Sequence, residues 1–105
     1  MDSDTKPLPR DINIPVRRGA RRTSGHVGQM ICLSRARAGQ TQAWVAAQLI
    51  TRVGLNIDSP QVCRIERGER VVDIQTLAAF ANVLQIPHED VLQALESELR
   101  WALDR

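Results

Sequence analysis

The sequence predicts an all-α fold, a bundle of five helices, on three observations. No segment alternates apolar and polar residues with period two for long enough to make a strand. Apolar residues recur instead at helical spacing in five stretches, which capping side chains or prolines open and glycines mostly close. Aromatic residues are few, only Trp44, Phe80 and Trp101 with no tyrosine, so Leu, Ile, Val and Ala must fill the core. That composition suits packed helices better than a sandwich of strands. At 105 residues, 43% of them hydrophobic, the chain is long enough for one small domain and a tail.

Residues 1–25 hold Pro7, Pro9 and Pro15, no helical periodicity and the run RRGARRTSG. They read as a disordered basic arm. Such an arm can follow DNA phosphates or reach the minor groove; a solvated tail fits the composition equally. Residues 26–95 read as the compact domain and 96–105 as an extension of its last helix. In the first helix Val27, Met30, Ile31 and Ser34 fall on one face, and Gly39 stops it. Thr41 can cap the second, QAWVAAQLITRV, with Val45, Ala46, Leu49 and Val53 inward and Gly54 at its end. Asp58 and Ser59 before Pro60 open a third helix that carries Val62, Ile65 and Glu66 to Gly68. Asp73 caps a fourth, whose expected inner face is Ile74, Leu77, Ala78, Ala81 and Leu84. Pro87, Glu89 and Asp90 open the fifth, where early acids suit the positive end of the helix dipole. Val91, Leu92, Leu95, Leu99 and Leu103 continue it as an apolar stripe.

Charge is unevenly spread. Residues 1–26 carry six Lys/Arg against three Asp, residues 28–70 six Arg against three acids, and residues 86–105 five acids against two Arg. Basic character in the first two thirds suits one face turned to a polyanion. No apolar run approaches the ~18 residues of a membrane span, and the N-terminus has no secretory-type apolar stretch. A cytoplasmic location without membrane contact is therefore expected. Cys32 and Cys63 are too few for a disulfide framework and lack CxxC spacing, so reduced thiols are expected; a redox switch at Cys63 is the alternative. His26 and His88 are remote from each other with no metal-ligand spacing. Ser34 and Ser59 lack a nucleophile-elbow context. Nothing calls for a cofactor or an enzymatic activity.

The stretches GQMICLSRARAGQTQAWVAAQL, SPQVCRIERGER and DIQTLAAFANVLQIPHEDVL, in that order, resemble the XRE family, the phage Cro and repressor type of helix-turn-helix DNA-binding protein. The likeness covers roughly residues 27–95. Its most specific parts are Gly39–Gln42, Arg64–Gly68 and the Leu77–Leu84 helix. The resemblance implies a lambda-repressor-like bundle, with residues 26–95 as the helix-turn-helix domain. It also implies that Ser59, Pro60 and Arg64 face base edges and that Gln42, Arg67 and Gly68 face the backbone. Glu66 would pair with Arg35 and so fix the reading helix.

The residues support these roles on their own. A recognition helix enters the major groove by its N-terminal turn. Gln61 and Arg64 are spaced i, i+3 and share a face. Arg64 can bond guanine bidentately and Gln61 adenine. Thr41 and Gln42 open the second helix, where the Gln42 amide and free N–H groups suit one phosphate. Arg67 and Arg70 surround the Gly68 turn with positive charge. Three departures from the family stand out. The connection around LITRVGLNI is longer than in its compact form, lengthening the second helix or the turn. Pro60 replaces a side chain able to hydrogen-bond, and Asp58 suits a phosphate-facing helix end only if capping occupies its carboxylate. Trp44 takes a usually polar position, where it can pack under the insert or at a partner surface, and Trp101 lies beyond the usual end of the domain.

The expected function is a sequence-specific transcriptional regulator, a repressor associated with the nucleoid, with double-stranded DNA as partner. A single such domain reads only a few base pairs, so two copies on a two-fold operator are expected, joined through residues 91–103. The alternative is an antitoxin or other interaction module on the same scaffold, with residues 1–25 or 96–105 covering a toxin partner.

Overall fold

A computed structural model describes residues 23–104. All regular structure among them is helical: α1 His26–Arg37, α2 Gln42–Gln48 continuing into a π-helical turn Leu49–Val53, α3 Ser59–Glu66, α4 Ile74–Leu84 and α5 His88–Leu103. The basic arm expected over 1–25 lies outside the described residues as far as residue 22. Its last three residues are packed, because Glu98 of α5 accepts from the backbone N–H of Ser24 at 2.9 Å and of Val27 at 3.5 Å. That carboxylate caps α1, whose N-cap position is a left-handed glycine, Gly25, with no side chain to offer.

Local rules explain most helix ends. Thr41 Oγ1 accepts from the Trp44 N–H at 3.0 Å and opens α2. Asp58 and Gln61 form a reciprocal capping box on α3, and Asp73 Oδ1 accepts from the Thr76 N–H at 2.7 Å. The long connection is absorbed partly by the π turn and partly by the stretch 54–58, in which Gly54 is left-handed and Ile57 is buried against the core. The wider i→i+5 winding rotates less per residue. Val53, expected inward, therefore falls short of the Leu49 face and is 46% exposed while Leu49 is fully buried.

The core centres on Ile31, Val45, Leu49, Val62, Ile65 and Phe80. The expected inner face of α4 is corrected in phase. Thr76, Leu77, Ala79, Phe80 and Val83 point inward, whereas Ala78 is exposed, Ala81 and Leu84 are half-buried and Ile74 is 77% exposed. Turning the helix to bury the bulky Phe80 ring outweighs burying Ile74 and two alanines, because buried apolar area decides the orientation. Gly28 lets α1 approach the end of α3: a Cβ there would strike the carbonyl oxygens of Ile65 and Glu66, the latter at 2.8 Å. α5 packs chiefly on α1, with Ala94 buried. None of the described helices is long and apolar enough to cross a membrane.

Candidate nucleic-acid interface

α3 is short, and its two faces are sharply distinct. Val62 and Ile65 are fully buried, and Ser59, Gln61 and Cys63 are half-buried. Pro60 and Arg64 are exposed, as is Arg67 just past the helix end. Residues 60, 64 and 67 are spaced i, i+4 and i+7, so they form one outward stripe. The Arg64 side chain makes no hydrogen bond or ion pair among the described residues, and its guanidinium is available to a ligand. The Asp58 carboxylate is occupied: its Oδ1 accepts from the Gln61 N–H at 2.9 Å, while Gln61 Oε1 accepts from the Asp58 N–H at 3.0 Å. This box meets the condition for an acid at this helix end. It also ties down the Gln61 carbonyl, leaving the amide NH2 of Gln61 as its free donor.

Beneath the outward stripe lies a polar clamp. Glu66, with only 4% of its side chain exposed, accepts from Arg35 Nε at 2.7 Å and Arg35 Nη2 at 3.1 Å. The same carboxylate accepts from Gln42 Nε2 at 2.9 Å, and Arg35 Nη1 donates to the Gln40 carbonyl at 2.9 Å. One carboxylate thus joins the end of α1, the start of α2 and the end of α3. Bidentate Arg–carboxylate geometry adds directional rigidity to the charge attraction. Hydrogen bonding to Glu66 holds the Arg35 guanidinium above its already high pKa, against the opposing effect of burial. Cys32 lies against this cluster, its Sγ 3.9 Å from Arg35 Nη2. Burial first, and the Glu66 charge second, raise its thiol pKa, which favours the protonated, unreactive form.

The residues expected to contact DNA divide into two groups. Ser59, Pro60 and Gln61 stand at the first turn of α3. Thr41 and Gln42 stand with Arg67 and Gly68 at the other end, about 12 Å away along the helix. Gln42, expected to bond phosphate through its amide, uses that amide on Glu66, so one of its two donors is spent inside the fold. Thr41 is exposed with its hydroxyl engaged as a cap. Arg67 pairs with Glu69 at 3.0 Å while remaining 61% exposed; such a surface pair is weak and a phosphate can displace it. Gly68 is buried and left-handed, with Gly25 and Thr23 close to where its Cβ would stand. Arg70 is exposed beside Asp73. Glu66 is neutralised by Arg35, which leaves Arg64, Arg67 and Arg70 as the positive charges of this surface, interspersed with Asp58, Glu69 and Asp73. Sequence reasoning passed over Gly28 and Gln40, whose contribution is backbone proximity and a carbonyl, neither of which leaves a local pattern. No protein-family model, curated protein or solved structure matches the chain.

Proposed function

We propose that this chain is a sequence-specific DNA-binding regulator of the XRE type, reading the major groove with the first turn and outward stripe of α3. The observation that carries the reading is Arg64: an exposed guanidinium, without a partner among the described residues, on a short helix whose far end is clamped by Glu66 to two other helices. A base-reading side chain needs a rigid support, since an error of about 1 Å already spoils a bidentate contact. Ser59, Pro60 and the Gln61 amide would share the groove floor with Arg64. Thr41, Gln42, Arg67, Gly68 and Arg70 would meet the phosphates on either side, where Lys/Arg contacts position the protein without reading sequence.

Two copies would bind a two-fold operator, joined through the apolar stripe of residues 91–103, and block transcription by occupancy. The acidic end of α5 would then lie away from the nucleic acid, with the protein residing in the cytoplasm on the nucleoid. The antitoxin reading uses the same scaffold and is favoured by a different observation, the exposed leucines of α5, which a toxin partner could equally cover. Selection of bound duplexes from a random DNA pool separates the two. Enrichment of a palindromic consensus is the expected result, and failure of any sequence to enrich would sink the DNA-reading proposal.

A further inference from the structure

α5 presents two complementary features to the outside. Leu92, Leu99 and Leu103 are 64%, 60% and 74% exposed, and their i, i+7 and i+11 spacing places them in one line along the helix. Beside that line α5 packs chiefly on α1 and at most weakly on α4. Between α4 and α5 lies an open cleft of about 570 Å³ lined by Ala78, Ala81, Asn82, Ile86, His88, Val91 and Leu92. Its α4 wall is made of two alanines, small enough to admit a leucine-bearing helix, with Asn82 supplying a polar edge. Leu92 belongs to both features, so the ridge begins at the mouth of the cleft and runs on past it. A ridge and a matching groove side by side on one chain are what a two-fold, self-complementary contact requires.

We propose that the cleft between α4 and α5 receives the distal half of α5 from a second copy, and that the exchange is reciprocal. The proposal rests on the dimer reading above and specifies the surface that α5 meets. A two-fold axis passing between Leu95 and Glu96, with the two α5 helices antiparallel, sets Leu99 of one copy beside Leu92 of the other. The same register brings Leu103 to the His88 and Ile86 end of the cleft, and Asp104 towards His88. The offset from Leu92 to Leu99 is about 10 Å at the helical rise, which carries the end of α5 off its own bundle and onto its neighbour's. Glu96 of each copy lies near the axis, with Arg100 one turn away to offset the two acids. A simple α5-to-α5 zipper would bury the same leucines but would leave both clefts open.

The test uses sedimentation equilibrium of the full chain, the Ala78→Glu variant (cleft) and the Leu99→Lys variant (ridge), with helicity checked by circular dichroism. Both positions are exposed in the single chain, so folding should survive. The intact chain should dimerise at micromolar concentration. Each variant alone should dimerise roughly a hundredfold more weakly, because a charge would be buried without a partner. An equimolar mixture of the two should recover association. The heterodimer keeps one unaltered ridge-in-cleft contact, and in the other the introduced lysine meets the introduced glutamate. A dimer of Ala78→Glu as tight as the intact chain's would overturn the cleft and leave the α5 zipper. A mixture that stays as weak as its components would overturn reciprocity. A monomeric intact chain would overturn the dimer reading itself.

Discussion

Replacing Glu66 with alanine removes the carboxylate that three N–H groups share. Glu66 is nearly sealed from water, with 4% of its side chain exposed, and Arg35 keeps 19%. Truncation would leave the guanidinium with Nε and Nη2 unpaired and the Gln42 amide without its acceptor. Breaking a buried pair by deleting one partner costs about 3–5 kcal/mol. Because water can return to the partly exposed Arg35, the lower end applies, about 3 kcal/mol. A domain of this size is stable by only about 5–10 kcal/mol, so the loss should be plain in urea denaturation followed by circular dichroism. The double variant Arg35→Met with Glu66→Met should regain much of it, since apolar groups of similar volume can replace a buried pair at little cost. A loss below about 1 kcal/mol for Glu66→Ala, or a double variant no more stable than the sum of its parts, would refute the clamp as the element that holds α3.

Gly28→Ala should destabilise by about 2–3 kcal/mol in the same urea assay, because its Cβ would meet backbone oxygens that cannot step aside. Gly39→Ala, left-handed but with open space around it, should cost only about 1 kcal/mol. Bonds from the Thr76 backbone N–H and hydroxyl hold the Asp73 carboxyl below its ordinary pKa. Its contribution should be complete above about pH 4, the unfolded value. It should be lost as pH falls through the lower folded value, so the deficit of Asp73→Ala in thermal midpoint should shrink on acidification. Arg64→Ala should abolish sequence preference in a competition binding assay at a cost of ~1–3 kcal/mol of discrimination. Arg70→Ala should weaken binding to all duplexes alike and lower the log–log salt slope by roughly 0.9.

The parts of this structure that the sequence makes legible are those whose causes lie within a few residues. Asp58 with Gln61, Thr41 before Gln42, Asp73 before Thr76 and the glycines after α1 and α3 each mark an end through a local hydrogen bond or backbone constraint. The outward direction of Arg64 follows likewise from its phase against Val62 and Ile65. The pairing of Arg35 with Glu66 spans 31 positions and is legible only through resemblance to a family, not from either residue's neighbourhood. The bond from Gln42 to Glu66 is not legible from either residue's neighbourhood, and it spends one of the two amide donors inside the fold while leaving the other for a ligand.

The misread elements share a different cause. In α4 an apolar-periodicity reading gives Ala81 nearly the weight of Phe80, whereas packing weighs area, and one ring sets the rotation of the whole helix. The π turn has no residue signature, because Gly54 marks where it stops and not how it winds; the exposed Ile50 and Val53 are the result. Glu98 is the clearest case. On the sequence it is one acid on the acidic end of α5, yet its carboxylate caps α1 across more than seventy positions. That bond sets α5 against α1 at the point where the basic arm enters the domain, beside Gly68 at the end of α3. Under the proposed dimer, a second copy on α5 would bear on this contact as well as on the packing of Ala94 against α1.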